Sequence, residues 1–202
     1  DYAKVFSNKG KLDFGAKYSD VGNKSNSDFY VAENGNPFVL DEQLSNDFEY
    51  QEMISAAYMN YAGEISEKTN YGIGIRSEFT KYDLNTIIQK KEDYLDFFPS
   101  AYINMKLSEK AQIRASYSSR ITRPRYQALN PTIIYQDAFT TIEGNPELKP
   151  ERTQSFEIST SISKYNFKVG YNYTTDPISG AALEGDNENS YVLKTINLST
   201  LK

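Results

Sequence analysis

Three arginines in the middle of the chain have the type and spacing best suited to anion binding: Arg120, Arg123 and Arg125. A guanidinium group forms paired hydrogen bonds with carboxylates, phosphates and anionic chelates. A structural role is the better-supported interpretation, because Pro124 and Pro131 stiffen the same segment. In that role we expect Arg120 and Arg123 to hold a loop in place by pairing with acidic residues that follow: Glu143, Glu147 or Glu151.

The composition excludes the catalytic and metal sites that require His or Cys. Catalysis by carboxylates alone stays open, but no residue pattern indicates it. The 202 residues include no His and no Cys, so a Ser-His-Asp triad, a thiolate metal site and a disulfide are impossible. Glu184, Asp186 and Glu188 lack the regular spacing of a calcium-binding loop, and we interpret residues 183–188 as a solvated loop tip. Residues 34–37 are typical of a turn. We predict neither enzyme activity nor a cofactor.

Charge and hydropathy narrow the class of protein further. The net charge of −5 and the pI near 4.9 argue against a nucleic-acid-binding protein, which would present a basic surface. The chain has no apolar run of about 18 residues, so the sequence predicts no transmembrane helix. The mean hydropathy of −0.63 is compatible with a membrane β-barrel, because half of each barrel strand and all of the loops are polar.

Alternation of apolar and polar residues predicts an all-β chain. Side chains along a strand point to opposite faces in turn, and we predict eight main strands: residues 11–19, 47–61, 70–81, 94–107, 111–121, 152–163, 167–175 and 190–199. The pattern is less regular in 47–61 and 190–199. A bulge, or packing against something inside a barrel, would explain that irregularity.

The predicted connections alternate between short and long. Short turns fall at residues 62–69, 108–110 and 164–166, and long loops fall at 20–46, 82–93, 122–151 and 176–189. The first long loop includes a predicted extra strand at 28–33. Outer-membrane barrels place short turns on the periplasmic side and long loops outside. The pattern therefore favours an antiparallel transmembrane β-barrel, and a soluble β-sandwich stays open because its strands also alternate.

In a barrel the two faces of each strand have different surroundings. We expect these polar residues to face the lumen: Asp13, Lys17, Arg76, Glu78, Lys106, Arg114, Glu157 and Lys168. We expect these apolar residues to face outer-membrane lipid: Ile73, Ile75, Ile113, Phe156, Ile158, Ile162, Val169 and Tyr171. Reversing the faces would cost about 2–4 kcal/mol for each Arg or Lys placed near the middle of the bilayer.

Two ordered motifs resemble the signature RPxYxxLNP followed by GNPxLxPExT of the TonB-dependent outer-membrane receptor family, in its outer membrane protein β-barrel branch. The first motif consists of Arg123, Pro124, Tyr126, Leu129, Asn130 and Pro131, and Arg120 precedes it. The second consists of Gly144, Asn145, Pro146, Leu148, Pro150, Glu151 and Thr153. Phe98-Pro99-Ser100 and residues 71–80 resemble further positions of this family.

The resemblance implies that residues 1–202 are a partial barrel domain: about eight strands from the later part of a barrel of about 22 strands. A plug domain and a TonB box are expected outside this sequence, so the chain would be a fragment that cannot transport alone. The implied function is capture of a scarce nutrient by extracellular loops and its import, energised by the TonB complex, across a Gram-negative outer membrane. The alternatives are an outer-membrane adhesin or structural barrel without transport, and a soluble β-sandwich binding module.

Overall fold

Nearly all regular structure in the chain is β, as its alternating pattern predicts. The structure is a computed structural model that describes residues 1–7, 10–32, 37–185, 187 and 189–199. Its elements in chain order are β1 (Tyr2–Val5), β2 (Lys11–Val31), β3 (Val39–Ser66), β4 (Thr69–Asn85), β5 (Gln89–Ser108), β6 (Ala111–Thr122), α1 (Tyr126–Leu129), β7 (Ile134–Tyr135), β8 (Thr140–Glu143), β9 (Glu151–Ile162), β10 (Tyr165–Thr175), β11 (Ile178–Glu184) and β12 (Tyr191–Asn197).

The strands form two sheets. The main sheet has eight strands in the order β1-β2-β3-β4-β5-β6-β9-β10, each antiparallel to its neighbours. Sequential strands are adjacent except where the chain passes from β6 to β9. A smaller sheet has the order β11-β12-β8-β7, in which β12 is antiparallel to β11 and parallel to β8. Two strands of the small sheet, β7 and β8, lie in the connection between β6 and β9. The other two, β11 and β12, follow β10.

The register gives the main sheet one polar and one apolar face, because directly opposed residues project to the same side. One row across seven strands is polar or small throughout: Asp13, Asn60, Gly74, Ser100, Ser118, Ser155 and Asn172. The next row points the other way and is apolar: Leu12, Tyr61, Ile73, Ala101, Tyr117, Phe156 and Tyr171. We call these sides the polar face and the apolar face.

The apolar face of the main sheet is exposed. Ile73 has 58% of its surface accessible, Tyr171 has 50% and Val169 has 75%. A β-sandwich buries its apolar faces against a second sheet, so this exposure does not fit a sandwich. None of the helices in the described residues is long and apolar enough to cross a membrane.

Seven of the eight predicted main strands are confirmed as members of the main sheet, and the eighth is wrong in its placement. Residues 190–199 contain β12, which belongs to the small sheet. The additional strand of the main sheet is β1, which the alternation of residues does not predict. Its four exposed residues are too few to show a clear period.

The short turns are confirmed, and two of the long loops are wrong. The predicted loops at 122–151 and 176–189 contain the short strands β7, β8 and β11. Short connections join β3 to β4, β5 to β6, and β9 to β10. The predicted loops at 20–46 and 82–93 are instead hairpins, because β2, β3, β4 and β5 stay paired far beyond the predicted ends. Residues 28–31 are the end of β2 rather than a separate strand. Residues 20–27 and 89–93 in these hairpins are mostly polar, so their sequence shows no alternation of apolar and polar residues to reveal a strand.

Candidate functional site

The register places the predicted site residues of the strands on two opposite faces. All eight residues predicted to face the lumen lie on the polar face, since each stands an even number of positions from a member of the polar row on its own strand. All eight residues predicted to face lipid lie on the apolar face by the same count. Which face meets lipid and which meets water remains a prediction.

The connection between β6 and β9 folds back over the polar face, at the end of the sheet away from the short turns. We call residues 123–150 the strap. It contains the first motif and the second motif as far as Pro150, and the two motifs contact each other. The amide of Gly144 donates to the carbonyl of Asn130 at 3.1 Å, and the amide of Asn145 donates to that of Ala128 at 2.6 Å. A Cβ at position 144 would overlap the backbone carbonyl of Asn130, which explains why glycine stands there.

The motif asparagines stabilise the turns of the strap. The Oδ1 of Asn130 accepts bonds from the amide of Thr132 at 3.1 Å and from its hydroxyl at 2.8 Å. The Oδ1 of Asn145 accepts a bond from the amide of Glu147 at 3.0 Å. Its Nδ2 donates to the carbonyl of Thr195 at 3.2 Å, which connects the strap to β12. Asparagine favours such positions because its short side chain reaches the backbone two residues ahead.

Arg123 anchors the start of the strap to the polar face. Its Nη2 donates to Glu78 Oε2 at 2.8 Å and to Thr80 Oγ1 at 2.8 Å, and its Nε donates to the hydroxyl of Tyr94 at 3.3 Å. Glu52 Oε2 lies 3.7 Å from the same Nε. The guanidinium therefore spans side chains from β3, β4 and β5.

The anchor is a compact group of balanced charges. Glu78 is 7% exposed and also accepts a bond from Arg76 Nε at 2.6 Å. Two arginines thus face two glutamates, Glu78 and Glu52. Charges removed from water are tolerated when they are paired and hydrogen-bonded, and among the described residues no buried side-chain nitrogen or oxygen lacks a partner.

The partners predicted for Arg120 and Arg123 are wrong. Arg123 pairs with Glu78 and Glu52, and the Nη2 of Arg120 donates to Ser118 Oγ at 3.3 Å. The three predicted acidic partners are engaged elsewhere: Glu143 lies 3.5 Å from Lys194, Glu147 lies 3.8 Å from Lys90, and Glu151 accepts a bond from the amide of Ile178 at 3.0 Å. The prediction failed because it considered residues near in sequence, whereas Glu78 is 45 positions away.

Apolar packing fixes the rest of the strap to the same face. Leu129 and Leu148 from the two motifs form one buried cluster with residues of β3 and β4: Phe48, Tyr50 and Leu84. A gap of only about 20 Å³ separates the strap from this part of the sheet. Tyr50 lies nearer the strap than the apolar residues of the apolar face. Its pKa is raised by burial and by Glu52, whose carboxylate accepts its hydrogen bond at 3.0 Å. This packing explains why the polar face carries Phe48 and Tyr50 at the start of residues 47–61.

A groove opens on the other side of the strap. It has a volume of about 1220 Å³. It lies between the strap, the small sheet and the parts of β2 and β3 that are away from the short turns. Arg125 and Tyr126 of the first motif line it, together with apolar residues that include Phe29, Ile134 and Leu193. The sequence placed Arg125 near its two neighbours, but the structure separates their roles: Arg123 is the anchor, and Arg125 faces the groove.

The structure offers no metal site in the residues it describes, where no three acidic side chains meet. The predicted loop tip at 183–188 is only partly covered, since Asp186 and Glu188 lie outside the described residues. The predicted turn at 34–37 lies outside them as well, except for Pro37.

Comparison with known proteins gives one family and several similar structures. A comparison with curated protein sequences finds no match. A mutant of the ferric enterobactin receptor PfeA from Pseudomonas aeruginosa, in complex with enterobactin, is 12% identical with a TM-score of 0.42, and the aligned part covers 98% of this chain and 38% of that receptor. The siderophore receptor PirA from Pseudomonas aeruginosa is 11% identical with a TM-score of 0.43, over 98% of this chain and 49% of PirA.

This chain thus spans less than half the length of either receptor. The family model for the outer membrane protein beta-barrel family matches residues 1–202. The chain therefore belongs to the outer membrane protein beta-barrel family of the Gram-negative outer membrane.

Proposed function

We propose that the chain forms part of the barrel wall of a TonB-dependent receptor that captures a scarce nutrient outside the cell and imports it. In this proposal a plug domain and a TonB box come from sequence outside these 202 residues. The TonB complex energises movement of the plug, and the nutrient then passes along the lumen. The protein acts as a receptor and transporter, without catalysis.

The two-faced main sheet supports a barrel wall with a wet lumen. The row of small polar residues from Asp13 to Asn172 suits a water-filled or plugged interior, and the neighbouring row from Leu12 to Tyr171 suits lipid. Outer-membrane barrels show this alternation in every strand. Lys168 and Glu157 form an ion pair of 2.6 Å on the polar face, where water or a plug would surround them.

The strap is the observation on which the proposal depends most. It carries the two receptor-like motifs and is fixed by Arg123 and by Leu129 and Leu148 onto the polar face. With the short turns on the periplasmic side, the strap lies at the extracellular end and on the lumen side. A ligand that enters the lumen would therefore pass directly beside the strap.

The proposal is tested by measuring coupling and uptake with the full-length protein in its native bacterium. A photo-cross-linker in the segment that precedes the barrel should trap TonB. Deletion of the gene should lower uptake of one of three labelled probes: enterobactin loaded with radioactive iron, cobalamin and maltoheptaose. A protonophore should lower the same uptake in the parent strain, because TonB draws on the proton gradient.

The control is the deletion strain carrying the intact gene, in which uptake should return. A protein that folds in the outer membrane, yields no TonB cross-link and leaves uptake of all three probes unchanged would contradict the proposal. That result would favour an adhesin or a structural barrel without transport.

A further inference from the structure

The groove beside the strap combines a large apolar surface with a small number of charges. Its volume of about 1220 Å³ exceeds the roughly 300–1,000 Å³ of typical small-molecule sites. Residues from four separate segments form its apolar wall: Phe29, Phe48, Tyr126, Ile134, Ile142 and Leu193. Tyr126 is 41% exposed, so its ring is accessible to a bound molecule.

Arg125 supplies the one uncompensated charge of this groove within the described part of the chain. Four charged side chains line it: Lys24, Arg125, Glu143 and Lys194. Lys24 pairs with Glu49 at 2.8 Å, and Lys194 pairs with Glu143 at 3.5 Å. Arg125 has no ion pair or side-chain hydrogen bond among the described residues, and its side chain is exposed. The groove is therefore locally positive, although the chain carries a net charge of −5.

We propose that this groove binds a small organic anion, in which a carboxylate is attached to an aromatic or other apolar body. The carboxylate would bind the Arg125 guanidinium, whose fork of N–H groups matches a planar carboxylate in two parallel hydrogen bonds. The apolar body would pack on Tyr126 and the wall around it. This inference rests on the proposed function and deepens it by naming the class of ligand.

The two neighbouring arginines do not offer the same binding site. Arg123 already bonds to Glu78, Thr80 and Tyr94 through its Nη2 and Nε, and it does not line the groove. Arg120 bonds to Ser118 on the polar face of β6 and does not line the groove. Arg120 is exposed and carries the same charge nearby in sequence, which makes it a matched control.

The test is ligand-observed fluorine NMR on the full-length protein in lipid nanodiscs. The probe is para-trifluoromethylbenzoate, and its uncharged partner para-trifluoromethylbenzamide has nearly the same shape. Empty nanodiscs measure partition of each probe into lipid. The proteins compared are the wild type, Arg125→Gln, Arg125→Lys and Arg120→Gln.

The benzoate should bind the wild type about tenfold more tightly than the benzamide, which corresponds to about 1.4 kcal/mol. Arg125→Gln should remove this difference, Arg125→Lys should keep part of it, and Arg120→Gln should leave it unchanged. Equal binding of the two probes to the wild type, no binding of either, or the same preference in Arg125→Gln would overturn the inference.

Binding in nanodiscs needs neither TonB nor a proton gradient, so the result of this test does not depend on whether the protein imports a nutrient. If the groove shows no anion preference but the protein still imports a nutrient, only the proposed ligand class is contradicted. If the groove prefers anions but the protein does not couple to TonB, the ligand proposal holds and the transport proposal is contradicted.

Discussion

At the scale of single residues, Arg123 is the side chain on which the position of the strap depends most. It contacts groups on three strands at once, and a lysine could not reproduce that geometry because its single ammonium lacks the planar fork. Its partners are largely buried, with side-chain exposures of 10% for Glu78 and 16% for Glu52. Loss of the Arg123 guanidinium would remove one of the two cations that neutralise these carboxylates, which water reaches poorly.

We expect Arg123→Ala to loosen the strap. Removing one partner of a buried ion pair costs about 3–5 kcal/mol, and partial access to water puts this anchor at the lower end of that range. Limited proteolysis of the full-length protein in nanodiscs should show faster cleavage within residues 123–150, with the barrel intact. Arg120→Ala is the control and should cleave like the wild type. Equal protection of the strap in both variants would show that Arg123 is not its anchor.

Gly144 permits the close approach of the two motifs, and we expect Gly144→Ala to disturb it. The added methyl group would meet the backbone of Asn130, which cannot move aside as a side chain can. Overpacking of this kind costs about 1–3 kcal/mol. The same cleavage assay should reveal faster cutting in the strap. Gly22→Ala is the control, because nothing lies within 4 Å of a Cβ there, and cleavage equal to that control would contradict the account.

At the scale of elements, the strap and the ends of β3 and β4 that lie away from their short turn form one packed unit. Leu84 is fully buried and Leu148 is 2% exposed, although neither belongs to the apolar residues that we predict to face lipid. The strap covers the polar-face side of these strand ends, and the strand ends offer the strap an apolar surface.

The packing of Leu84 against the strap can be tested by a double-mutant cycle with Leu148. Each single change to Ala should destabilise the strap by about 2–5 kcal/mol, the usual cost for a buried leucine. Because the two side chains share one cluster, the double variant should cost less than the sum, with a coupling of about 0.5–3 kcal/mol. Hydrogen exchange of strap amides gives the free energies. If the two single costs simply add, Leu84 and Leu148 do not stabilise the strap through a shared contact.

The sequence predicted the faces of the strands but not the contacts of the strap. Period-two alternation is a local property, so Ile73, Arg76 and Phe156 could be assigned to faces from their neighbours alone. The partners of Arg123 could not be predicted, because they depend on how a 28-residue connection folds back over β3 to β5. The sheet to which β12 belongs could not be predicted either, since the residue pattern of a strand does not reveal which strand it pairs with.

At the scale of the whole molecule, the proposed function depends on which face of the main sheet lines the lumen. A polar face with paired charges such as Lys168 and Glu157, and an apolar face with exposed Phe156 and Tyr171, suit a wall between lumen and lipid. Family membership places the chain in an outer-membrane β-barrel. The strap, the groove and the proposed passage of a nutrient all require that the polar face is the inner one.

The most direct test of this claim uses two adjacent residues of β10 at the same depth. The chain contains no Cys, so Lys168→Cys and Val169→Cys each give it a single thiol, which can carry an environment-sensitive fluorophore in an otherwise cysteine-free full-length protein. In vesicles, the label at position 169 should be quenched by brominated lipid, and the label at 168 by aqueous iodide. The reverse pattern, or quenching of both labels by iodide alone, would contradict the assignment of the faces and the account built on it.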